Sequence, residues 1–535
     1  MLSLQQITLP IDHSKNDLQE KIADLLGIDV DEVKDFKITK RAIDSRKKRQ
    51  MIFFVYSVMI ELEDESKLLK SKTVQQNTKH HRIEITKPYV YEELKVDTKK
   101  FKTRPVVVGT GPAGMFSALL LARAGLKPIV IDRGGDVDAR IRDVEKFMNT
   151  GELNTESNIQ FGEGGAGTFS DGKLNTLITN PRIKYIFDEF VNAGAPDTIL
   201  WDAKPHIGTD KIRKVAKNIR KQIIDLGGEV RFNTELTDIS IKDDKLESIT
   251  LNDEEKIETN HLVLAIGYSA RDTYEMLYER KISIEQKPFA IGVRIEHKAE
   301  MINKSQYDKF YKEKKLGAAK YKLVAHSDNN RSVYTFCMCP GGYVMPSASG
   351  ENEVITNGMS EYAQDGENSN AALLVNVNGD DFGSDHPLAG IEFQRKWEKK
   401  AFELGGSNYH APVQLVGDFL KKQKSDKIKN VKPTYKPGIT LSSLDDCLPD
   451  FVADSLREAL PKLDNKIKGF ASANAVLTAI ETRSSSPLRI SRDKETMQSN
   501  IAGIYPAGEG AGYAGGIVSS AADGMRVGEA IISTF

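Results

Sequence analysis

Hydrophobic residues in the first hundred positions follow two different periods. Over Lys15–Leu26 they recur at helical spacing, which predicts an amphipathic helix. Every second residue of Gln50–Leu62 is hydrophobic, which predicts a strand with one buried face, and Gln5–Leu9 and Asp35–Ala42 also have strand character. The buried face needs a packing partner, and the helix is the nearest one. We therefore expect a small α+β module over residues 1–98.

A different pattern begins just after residue 100. The apolar strand Pro105–Val108 runs directly into the Gly-x-Gly-x-x-Gly turn of Gly109–Gly114. A helix rich in Ala and Leu follows to about Ala124, and Pro128–Ile131 forms a second strand that ends at Asp132. A strand, a glycine turn, a helix and a strand with a terminal acid make up the complete dinucleotide-binding unit.

Each part of this unit has a chemical reason. Gly109 permits the tight turn, Gly111 lets the backbone approach a pyrophosphate, and Gly114 lets the helix pack closely on the strand. The helix N-terminus faces the phosphate charge, and the Asp132 carboxylate can accept hydrogen bonds from ribose hydroxyls. The residues expected to contact a dinucleotide here are Gly109, Gly111, Pro112, Ala113, Gly114, Asp132 and Arg133.

Two later segments combine a buried strand with glycines. His261–Gly267 ends in Ala-Ile-Gly, and Ile504–Gly510 reads IYPAGEG and leads through further glycines into a helix that begins at Ile517. Together with the glycine turn, they resemble the FAD-dependent oxidoreductases of the glutathione-reductase-like class. Those proteins assemble one FAD domain from three distant pieces of chain. The resemblance therefore implies FAD as the cofactor.

The resemblance also implies roles for individual residues. The Glu509 carboxylate would bind a ribityl hydroxyl, and the helix entered through Gly515 and Gly516 would point its N–H groups at the flavin O2 edge. A helix N-terminus there stabilises the negative charge of reduced flavin. The residues assigned in this way are Ala265, Gly267, Gly508, Glu509, Gly515, Gly516 and Ile517.

Three longer motifs narrow the resemblance. Gln160–Lys173 (QFGEGGAGTFSDGK), Ile480–Pro487 (IETRSSSP) and the C-terminal GEGAGYAGG resemble those of a bacterial family of uncharacterised FAD-dependent dehydrogenases. That family also carries a small N-terminal module, so the resemblance covers nearly the whole chain. It implies an α/β fold, with a discontinuous Rossmann-like FAD-binding domain over 99–275 and 490–535 and an inserted mixed α+β substrate domain over 276–489. The resemblance does not identify a substrate.

The glycine-rich loop Gly164–Lys173 is a further candidate for flavin contact. In related flavoproteins the corresponding loop runs along the pyrophosphate and the isoalloxazine. Gly167 and Thr168 would permit close approach, and Ser170 or Lys173 could hydrogen-bond the ring. An ordinary glycine loop is the alternative. By analogy, the strand pair that follows Gly228 would lie near the adenine, with Leu236 as a backbone contact.

Candidate catalytic residues are Arg483, Lys173 and Cys337. The Arg483 guanidinium could hold a substrate carboxylate, or it could pin a domain interface through an ion pair. The Cys337-x-Cys339 pair could relay electrons, although its spacing is cramped for a disulfide and favours buried, unreactive thiols. The Cys-x4-Cys of disulfide reductases is absent after the glycine turn.

Composition excludes several classes. Three cysteines are too few for a disulfide scaffold and suit a reducing compartment, so we expect a cytoplasmic protein. The longest apolar run, Met51–Ile60, is about half of the ~20 residues that a membrane span needs, so no membrane partner is expected. Met1–Pro10 lacks the features of a signal peptide. The nine histidines form no metal-binding motif, so no metal is expected.

The net charge of −1 gives the chain no general attraction to nucleic acid. The basic segment Lys40–Arg49 is the exception: it could touch RNA or an acidic partner, or be a solvated hairpin loop. The sequence leaves the oligomeric state open.

We expect an FAD-dependent oxidoreductase that moves a hydride between flavin and a small-molecule substrate. Gly162–Gly167 and Gly510–Gly515 also match Gly-x-Gly-x-x-Gly, but neither belongs to a second complete strand–turn–helix–strand unit, so NADH or NADPH would visit the flavin transiently, or another donor would serve. The Asp-Gly that aromatic hydroxylases carry in their middle motif is absent at Ala265–Gly267, which argues against monooxygenation. An RNA-associated flavoprotein and a flavin-binding partner protein without turnover are the alternatives.

Overall fold

The computed structural model describes residues 1–46, 51–87, 89–94, 96, 102–176 and 178–535. Lys47, Lys48 and Arg49 of the predicted basic segment lie outside these ranges.

The N-terminal module is a four-stranded antiparallel sheet with the strand order β2-β3-β1-β4. Its elements are β1 (Leu2–Pro10), α1 (Lys15–Leu26), β2 (Phe36–Asp44), β3 (Phe53–Ile60), α2 (Glu65–Leu69), α3 (Lys72–Asn77) and β4 (Ile83–Ile85). Alternate residues of β3 are buried, from Phe54 to Ile60, and share one hydrophobic core with Leu18 and Ile22 of α1. The predicted helix and the predicted buried strand face are confirmed.

Helix α1 has local signals at both ends. The Ser14 hydroxyl accepts a hydrogen bond from the Asp17 N–H, and the Asp17 carboxylate accepts one from the Ser14 N–H at 2.7 Å. This reciprocal pair is a capping box. The helix ends at Gly27, whose φ of 67° is accessible to glycine at little cost.

The module is joined to the rest of the protein through strand β2. The Arg41 N–H donates to the Trp201 carbonyl at 2.6 Å, and the Ala203 N–H donates to the Arg41 carbonyl. The Arg41 guanidinium also lies 4.5 Å from the centre of the Trp201 ring, which adds a cation–π contact. Of the basic segment, Arg41 therefore binds this interface, and Arg46 pairs with Asp44.

A five-stranded parallel sheet with the order β23-β11-β5-β6-β7 forms the centre of the second domain. Its elements are β5 (Val106–Val108), α4 (Pro112–Arg123), β6 (Ile129–Ile131), α5 (Val137–Thr150), α6 (Arg182–Asn192), α7 (Thr209–Asp225), β7 (Glu229–Arg231), β8 (Leu236–Lys242), β9 (Lys245–Leu251), β10 (Glu255–Glu258), β11 (Leu262–Leu264) and α8 (Arg271–Glu279), and, after the inserted domain, β23 (Ile504–Pro506) and α14 (Ile517–Ile532). Strands β5, β6, β11 and β23 are buried at every residue, as expected for a parallel sheet covered on both faces.

Helices α4 and α14 pack closely against each other on this sheet. A side chain at Gly524 in α14 would collide with the Ala113 carbonyl of α4. The absence of a Cβ atom therefore lets the two helices approach. This contact brings the C-terminal segment of the chain beside the glycine turn that precedes α4.

The inserted domain is built on a seven-stranded sheet with the order β14-β15-β18-β13-β21-β19-β20. Its elements are β12 (Ile284–Gln286), β13 (Phe289–Lys298), α9 (Ala299–Tyr307), β14 (Val324–His326), β15 (Ser332–Cys339), β16 (Tyr343–Pro346), β17 (Thr356–Met359), β18 (Asn368–Val377), α10 (Gly379–Phe382), α11 (Ala389–Gly405), β19 (Ala411–Leu415), α12 (Val416–Leu420), β20 (Ile439–Leu441), α13 (Asp450–Asp464), β21 (Val476–Glu481) and β22 (Leu488–Ile490). Strands β13 and β18 pair along ten residues each and form the centre of the sheet. The short antiparallel pair β12–β22 marks where the chain leaves and re-enters the parallel-sheet domain.

The predicted fold class is confirmed. A Rossmann-like α/β domain is assembled from two separated segments, a mixed α+β domain is inserted between them, and a small α+β module precedes both. Within the described part of the chain, no helix combines the length and the apolar character that crossing a membrane requires.

Candidate functional site

The carboxyl ends of the parallel strands open into a cavity of about 1110 Å³ that continues to the sheet of the inserted domain. Small-molecule pockets usually measure ~300–1,000 Å³, so this one has room for a large ligand and a second, smaller one. The predicted site residues line this cavity with three exceptions, Gly114, Thr168 and Gly508. Residues from the three distant glycine segments therefore surround one space.

Some of the glycines are required by the protein itself. A Cβ atom at Gly109, where φ is 98°, would collide with the Ala265 carbonyl, and one at Gly114 would collide with the Gly109 carbonyl. At Gly508 it would come within 2.6 Å of the Ala113 Cβ. Gly114 and Gly508 thus allow the backbone segments to pack closely, and they do not face the cavity.

Other glycines face open space. The nearest atom to a Cβ at Gly111 would be the Gly165 Cα, at an ordinary 3.8 Å, and a Cβ at Gly515 would have no neighbour within 4 Å. Neither residue has a positive φ, so neither the backbone conformation nor packing requires glycine there. Side chains at these positions would instead fill the cavity beside the N-terminus of α4 and near that of α14. The site therefore fits a ligand with a pyrophosphate and a flavin ring, as FAD has.

Asp132 lines the cavity, and its carboxylate already has four hydrogen-bond donors within the protein. Its Oδ2 atom accepts hydrogen bonds from the Thr110 N–H at 2.9 Å and from the Thr110 hydroxyl at 2.5 Å. Its Oδ1 atom accepts from the N–H groups of Gly134 and Gly162 at 3.0 and 2.9 Å. These four bonds fill the usual acceptor positions of a carboxylate. Asp132 lines the cavity but holds the glycine turn to two neighbouring loops, and the expected ribose contact would have to displace one of these donors.

Arg133 lies at the same end of the cavity and has several partners. It forms ion pairs with Glu156 at 3.2 Å, with Asp272 at 2.6 Å and with Glu235. Its guanidinium also lies 4.7 Å from the centre of the Phe161 ring. Arg133 therefore connects several segments of chain that border the cavity.

Arg140, a residue that the sequence did not single out, binds the segment over residues 158–165, which leads into the glycine-rich loop. Arg140 is fully buried, and burial lowers its pKa to about 9. Its guanidinium donates hydrogen bonds to the carbonyls of Asn158, Ile159, Gly162, Glu163 and Gly165. The role of Arg140 could not be predicted from a local motif, because the acceptors of its hydrogen bonds are backbone carbonyls of a later loop.

Two predicted residues of this loop use their hydroxyls internally. Thr168 is buried and donates to the Glu163 carbonyl at 3.0 Å, so it does not reach the cavity. Ser170 lines the cavity, but its hydroxyl donates to the Gly167 carbonyl and accepts from the Gly172 N–H. Both side chains shape the loop, and its backbone is left to face the cavity.

Glu509 lines the cavity beside the N-terminus of α14, where one of its carboxylate oxygens accepts a hydrogen bond from the Gly516 N–H at 3.4 Å. Desolvation raises the pKa of Glu509 to about 7, against the opposing effects of the Gly516 N–H and of Lys287. The carboxylate is therefore a titrating acceptor at the position that the sequence predicts for a ribityl hydroxyl.

We expect FAD affinity to depend on this titration. The ionised carboxylate is the better acceptor for a ribityl hydroxyl, so affinity should increase by up to about tenfold per pH unit from about pH 5 to about pH 7 and then level off. In Glu509→Gln the increase should disappear. Fluorescence titration of the apoprotein with FAD at several pH values measures this. An unchanged pH profile in the variant would exclude Glu509 as the titrating group.

Arg483 lines the cavity and belongs to a buried ion-pair cluster. Its guanidinium pairs with Glu353 at 2.6 Å and with Glu398 at 3.2 Å, and it also donates to the hydroxyls of Ser269 and Ser349. Of its two predicted roles, the geometry therefore favours the interface ion pair over the substrate contact. Arg483 reaches the cavity because it lies just after the end of β21, at Glu481.

The cluster includes a second arginine. Arg271, at the start of α8, pairs with Glu398 of α11 at 2.8 Å and with Glu353 at 3.2 Å. Two guanidiniums and two carboxylates thus join the parallel-sheet domain to the inserted domain. Glu398 is fully buried, and although burial raises its pKa, Arg271 and Arg483 outweigh burial and hold that pKa well below its ordinary value.

Lys173 and Cys337 both line the cavity and lie close to each other. The Lys173 Nζ atom lies 3.9 Å from the Cys337 Sγ atom, 3.7 Å from the Cys339 Sγ atom and 3.4 Å from a carboxylate oxygen of Asp171. The sequence favours burial of both Cys337 and Cys339, but only Cys339 is buried, and Cys337 is partly exposed and lines the cavity. Cys447 is also buried. Burial lowers the pKa of Lys173, but Asp171 and the two sulfurs outweigh it, so the pKa is raised.

The substrate side of the cavity also contains residues that the sequence did not indicate. Tyr268 follows the Ala-Ile-Gly motif, Tyr334 and Phe336 lie on β15, and Asn357 lies on β17. Tyr268 comes from the parallel-sheet domain and the other three from the inserted domain, so only the packing of the two domains brings these residues together. Among the described residues, no three His, Cys, Asp or Glu side chains are grouped in a way that could hold a metal ion.

Three glycine segments that converge on one cavity, together with two helix N-termini beside it, define the class: a flavoprotein oxidoreductase that binds FAD. Residues 102–142 match the family described as an FAD binding domain, and residues 288–484 match the family described as FAD-dependent protein, C-terminal domain-like. Residues 1–61 match a domain of unknown function.

A protein of Clostridium beijerinckii that is described as uncharacterized is 49% identical over 536 residues, which cover 100% of this chain and 99% of that protein. This chain and the Clostridium beijerinckii protein therefore belong to one family, and the family matches above identify it as a family of FAD-dependent proteins.

Solved structures of flavoenzymes show a weaker likeness. A triple mutant of the flavin-dependent brominase Bmp2 is 11% identical with a TM-score of 0.35, and the match covers 81% of this chain and 80% of that chain. The L-proline dehydrogenase of P. horikoshii is also 11% identical with a TM-score of 0.35, and the match covers 81% and 94%.

Proposed function

We propose that this protein moves a hydride between bound FAD and a small-molecule substrate held by the inserted domain, with NADH or NADPH as a transient electron donor. The observation that carries the proposal is the single cavity, which runs without a break from the glycine turn to strands β15 and β17. FAD supplies the two-electron hydride chemistry when it is bound.

The residues of the chain itself would bind FAD and orient it. The backbone at Gly111 and the N-terminus of α4 would hold a pyrophosphate, and Glu509 would fix the ribityl chain. The N-terminus of α14 provides N–H groups that favour negative charge. Asp523 and Arg492 fix its direction, because Asp523 of α14 accepts a hydrogen bond from the Gly508 N–H and pairs with Arg492 at 2.6 Å.

Anaerobic reduction tests the proposal. The purified protein should show the visible spectrum of bound flavin, and NADH or NADPH added without oxygen should bleach it within minutes. Dithionite serves as the control for reducible flavin. If dithionite bleaches the spectrum and neither nicotinamide does, the donor assignment is wrong. If bound flavin resists all donors, the protein binds flavin without turnover.

A further inference from the structure

We propose that Cys337 and Cys339 form a dithiol pair that reduces the disulfide bond of a small substrate entering the cavity, with Cys337 as the attacking sulfur and Lys173 as its counter-ion. The exchange between protein and substrate sulfurs does not depend on the proposed function. Only the return of the pair to the dithiol rests on it.

The first support is the backbone at Cys337. Strand β15 is paired with β18 through Phe336 and Ala372, and the pairing resumes at Cys339 and Asn370, so the strand carries an extra residue between these points. Such a bulge redirects side chains and is common next to active sites. Cys337 has a φ of 42°, a left-handed conformation that costs a non-glycine residue energy. Backbone strain of this kind is found mainly at active sites and ligand-binding sites.

The second support is the difference between the two sulfurs. Cys337 is partly exposed and lines the cavity, whereas Cys339 is fully buried behind it. The Cys339 Sγ atom lies 3.3 Å from the Cys337 carbonyl oxygen, and the Arg294 guanidinium donates to that oxygen at 2.9 Å. Both sulfurs lie within 3.9 Å of the same Lys173 nitrogen atom, so they are neighbours. Because exchange depends on which sulfur is accessible, Cys337 would attack the substrate and Cys339 would resolve the mixed disulfide.

The third support is the surrounding charge. Arg294 is fully buried and paired with Glu481 at 2.6 Å, and Lys173 is paired with Asp171. The titratable and charged groups near the two sulfurs are Lys173, Arg294, Asp171, Glu481, Glu509, Tyr268 and Tyr321. A hydrogen bond from Cys339, with Lys173 and Arg294, outweighs burial and lowers the pKa of Cys337, whereas the same hydrogen bond and burial raise the pKa of Cys339. Cys337, the sulfur that faces the cavity, is therefore the one placed to act as a thiolate beside the Lys173 ammonium group.

The exchange has two steps. The Cys337 thiolate attacks one sulfur of the substrate, the substrate S–S bond breaks, and one substrate thiolate leaves as a mixed disulfide forms. Cys339 then gives its proton to the departing thiolate and attacks the Cys337 sulfur, which releases the second substrate thiolate. Two electrons pass from the protein sulfurs to the substrate, and the protein keeps a Cys337–Cys339 disulfide. Two electrons and two protons from reduced FAD would restore the dithiol.

The test uses the full-length protein and 4,4′-dithiodipyridine, without any nicotinamide. Wild type should release about two equivalents of thiopyridone and lose about 2 Da, because both sulfurs are oxidised. Cys339→Ser should release about one equivalent and keep the adduct, and Cys337→Ser should release almost none. Cys447→Ala removes the buried third cysteine and should behave as wild type.

Lys173 is tested separately. Alkylation of Cys337 by iodoacetamide at pH 6.5 should slow by at least about tenfold in Lys173→Met, and Lys173→Arg should restore most of the rate. The thermal unfolding midpoint of each variant shows whether it is folded. Equal thiopyridone release by wild type and Cys339→Ser, or equal alkylation rates with and without Lys173, would overturn the inference. A protein that passes these tests but resists NADH and NADPH would refute only the proposed donor.

Discussion

Gly111→Val should abolish FAD binding while leaving the fold intact. The valine side chain would fill the space beside the N-terminus of α4, where a pyrophosphate has to approach the backbone. We expect the affinity for FAD to fall by at least about 100-fold, or about 2.8 kcal/mol, because the pyrophosphate would lose its contact with the helix N-terminus. Absorbance of the purified protein and titration of the apoprotein with FAD measure this loss.

The fold should tolerate the same substitution. Gly111 has φ and ψ of −69° and 178°, which valine adopts readily, and the nearest atom to a new Cβ is 3.8 Å away. The apoprotein should therefore lose no more than about 1 kcal/mol of stability, mainly through a poorer helix N-cap. Gly515→Val is the matched variant from the C-terminal segment and should also lose FAD. A Gly111→Val protein that purifies with full flavin content would refute the site.

Glu398→Gln should destabilise the protein more than any surface change. Glu398 is fully buried and compensates two guanidiniums, Arg271 and Arg483, which would be left with a single carboxylate between them. Breaking a buried charge cluster in this way costs about 3–5 kcal/mol. Urea or thermal unfolding in the presence of excess FAD measures the difference.

The same cluster should make stability depend on pH. The pKa of Glu398 is lower in the folded protein than its ordinary value of 4.5, so the unfolded chain binds its proton first as the pH falls. The stabilisation is complete above about pH 4.5 and is lost progressively at lower pH. The unfolding midpoint of wild type should therefore fall more steeply below about pH 4.5 than that of Glu398→Gln.

A matched control lies on the same helix. Glu392 of α11 is exposed and pairs with Arg395 at 2.6 Å, an ion pair of the kind that contributes ~0–1 kcal/mol. Glu392→Gln should leave both the midpoint and its acid dependence close to wild type. Equal effects of the two substitutions would mean that burial of the cluster adds nothing to stability.

The glycine segments could be predicted because their chemistry is local. A strand that ends in a spaced set of glycines has few uses, so the pattern itself places Gly109 and Gly111 near a dinucleotide, whereas Gly515 is assigned through the family resemblance. The structure adds which glycines serve packing and which face the cavity. That distinction depends on neighbours such as Ala265 and Gly165, which are distant in sequence.

Other roles could not be predicted because they depend on partners from distant segments. Asp132 ends a strand as expected, yet Gly162, from a loop 30 positions away, occupies one of its acceptor sites. Arg483 lies in a motif that resembles a family signature, but its carboxylate partners come from distant segments, Glu398 from α11 and Glu353 from the connection between β16 and β17. The exposure of Cys337 results from a bulge, and no residue pattern in β15 announces it.

The split construction of the parallel sheet has a consequence for how the protein is made. Strand β23 pairs with β11, and helix α14 packs on α4, only after the whole inserted domain has left the ribosome. The N-terminal module and the inserted domain can collapse earlier, since each has its own sheet. Because a ligand that binds only the native state pulls folding toward completion, FAD would act late, on chains already synthesised through α14. Truncation before β23 should therefore give a chain with folded parts that cannot capture the cofactor.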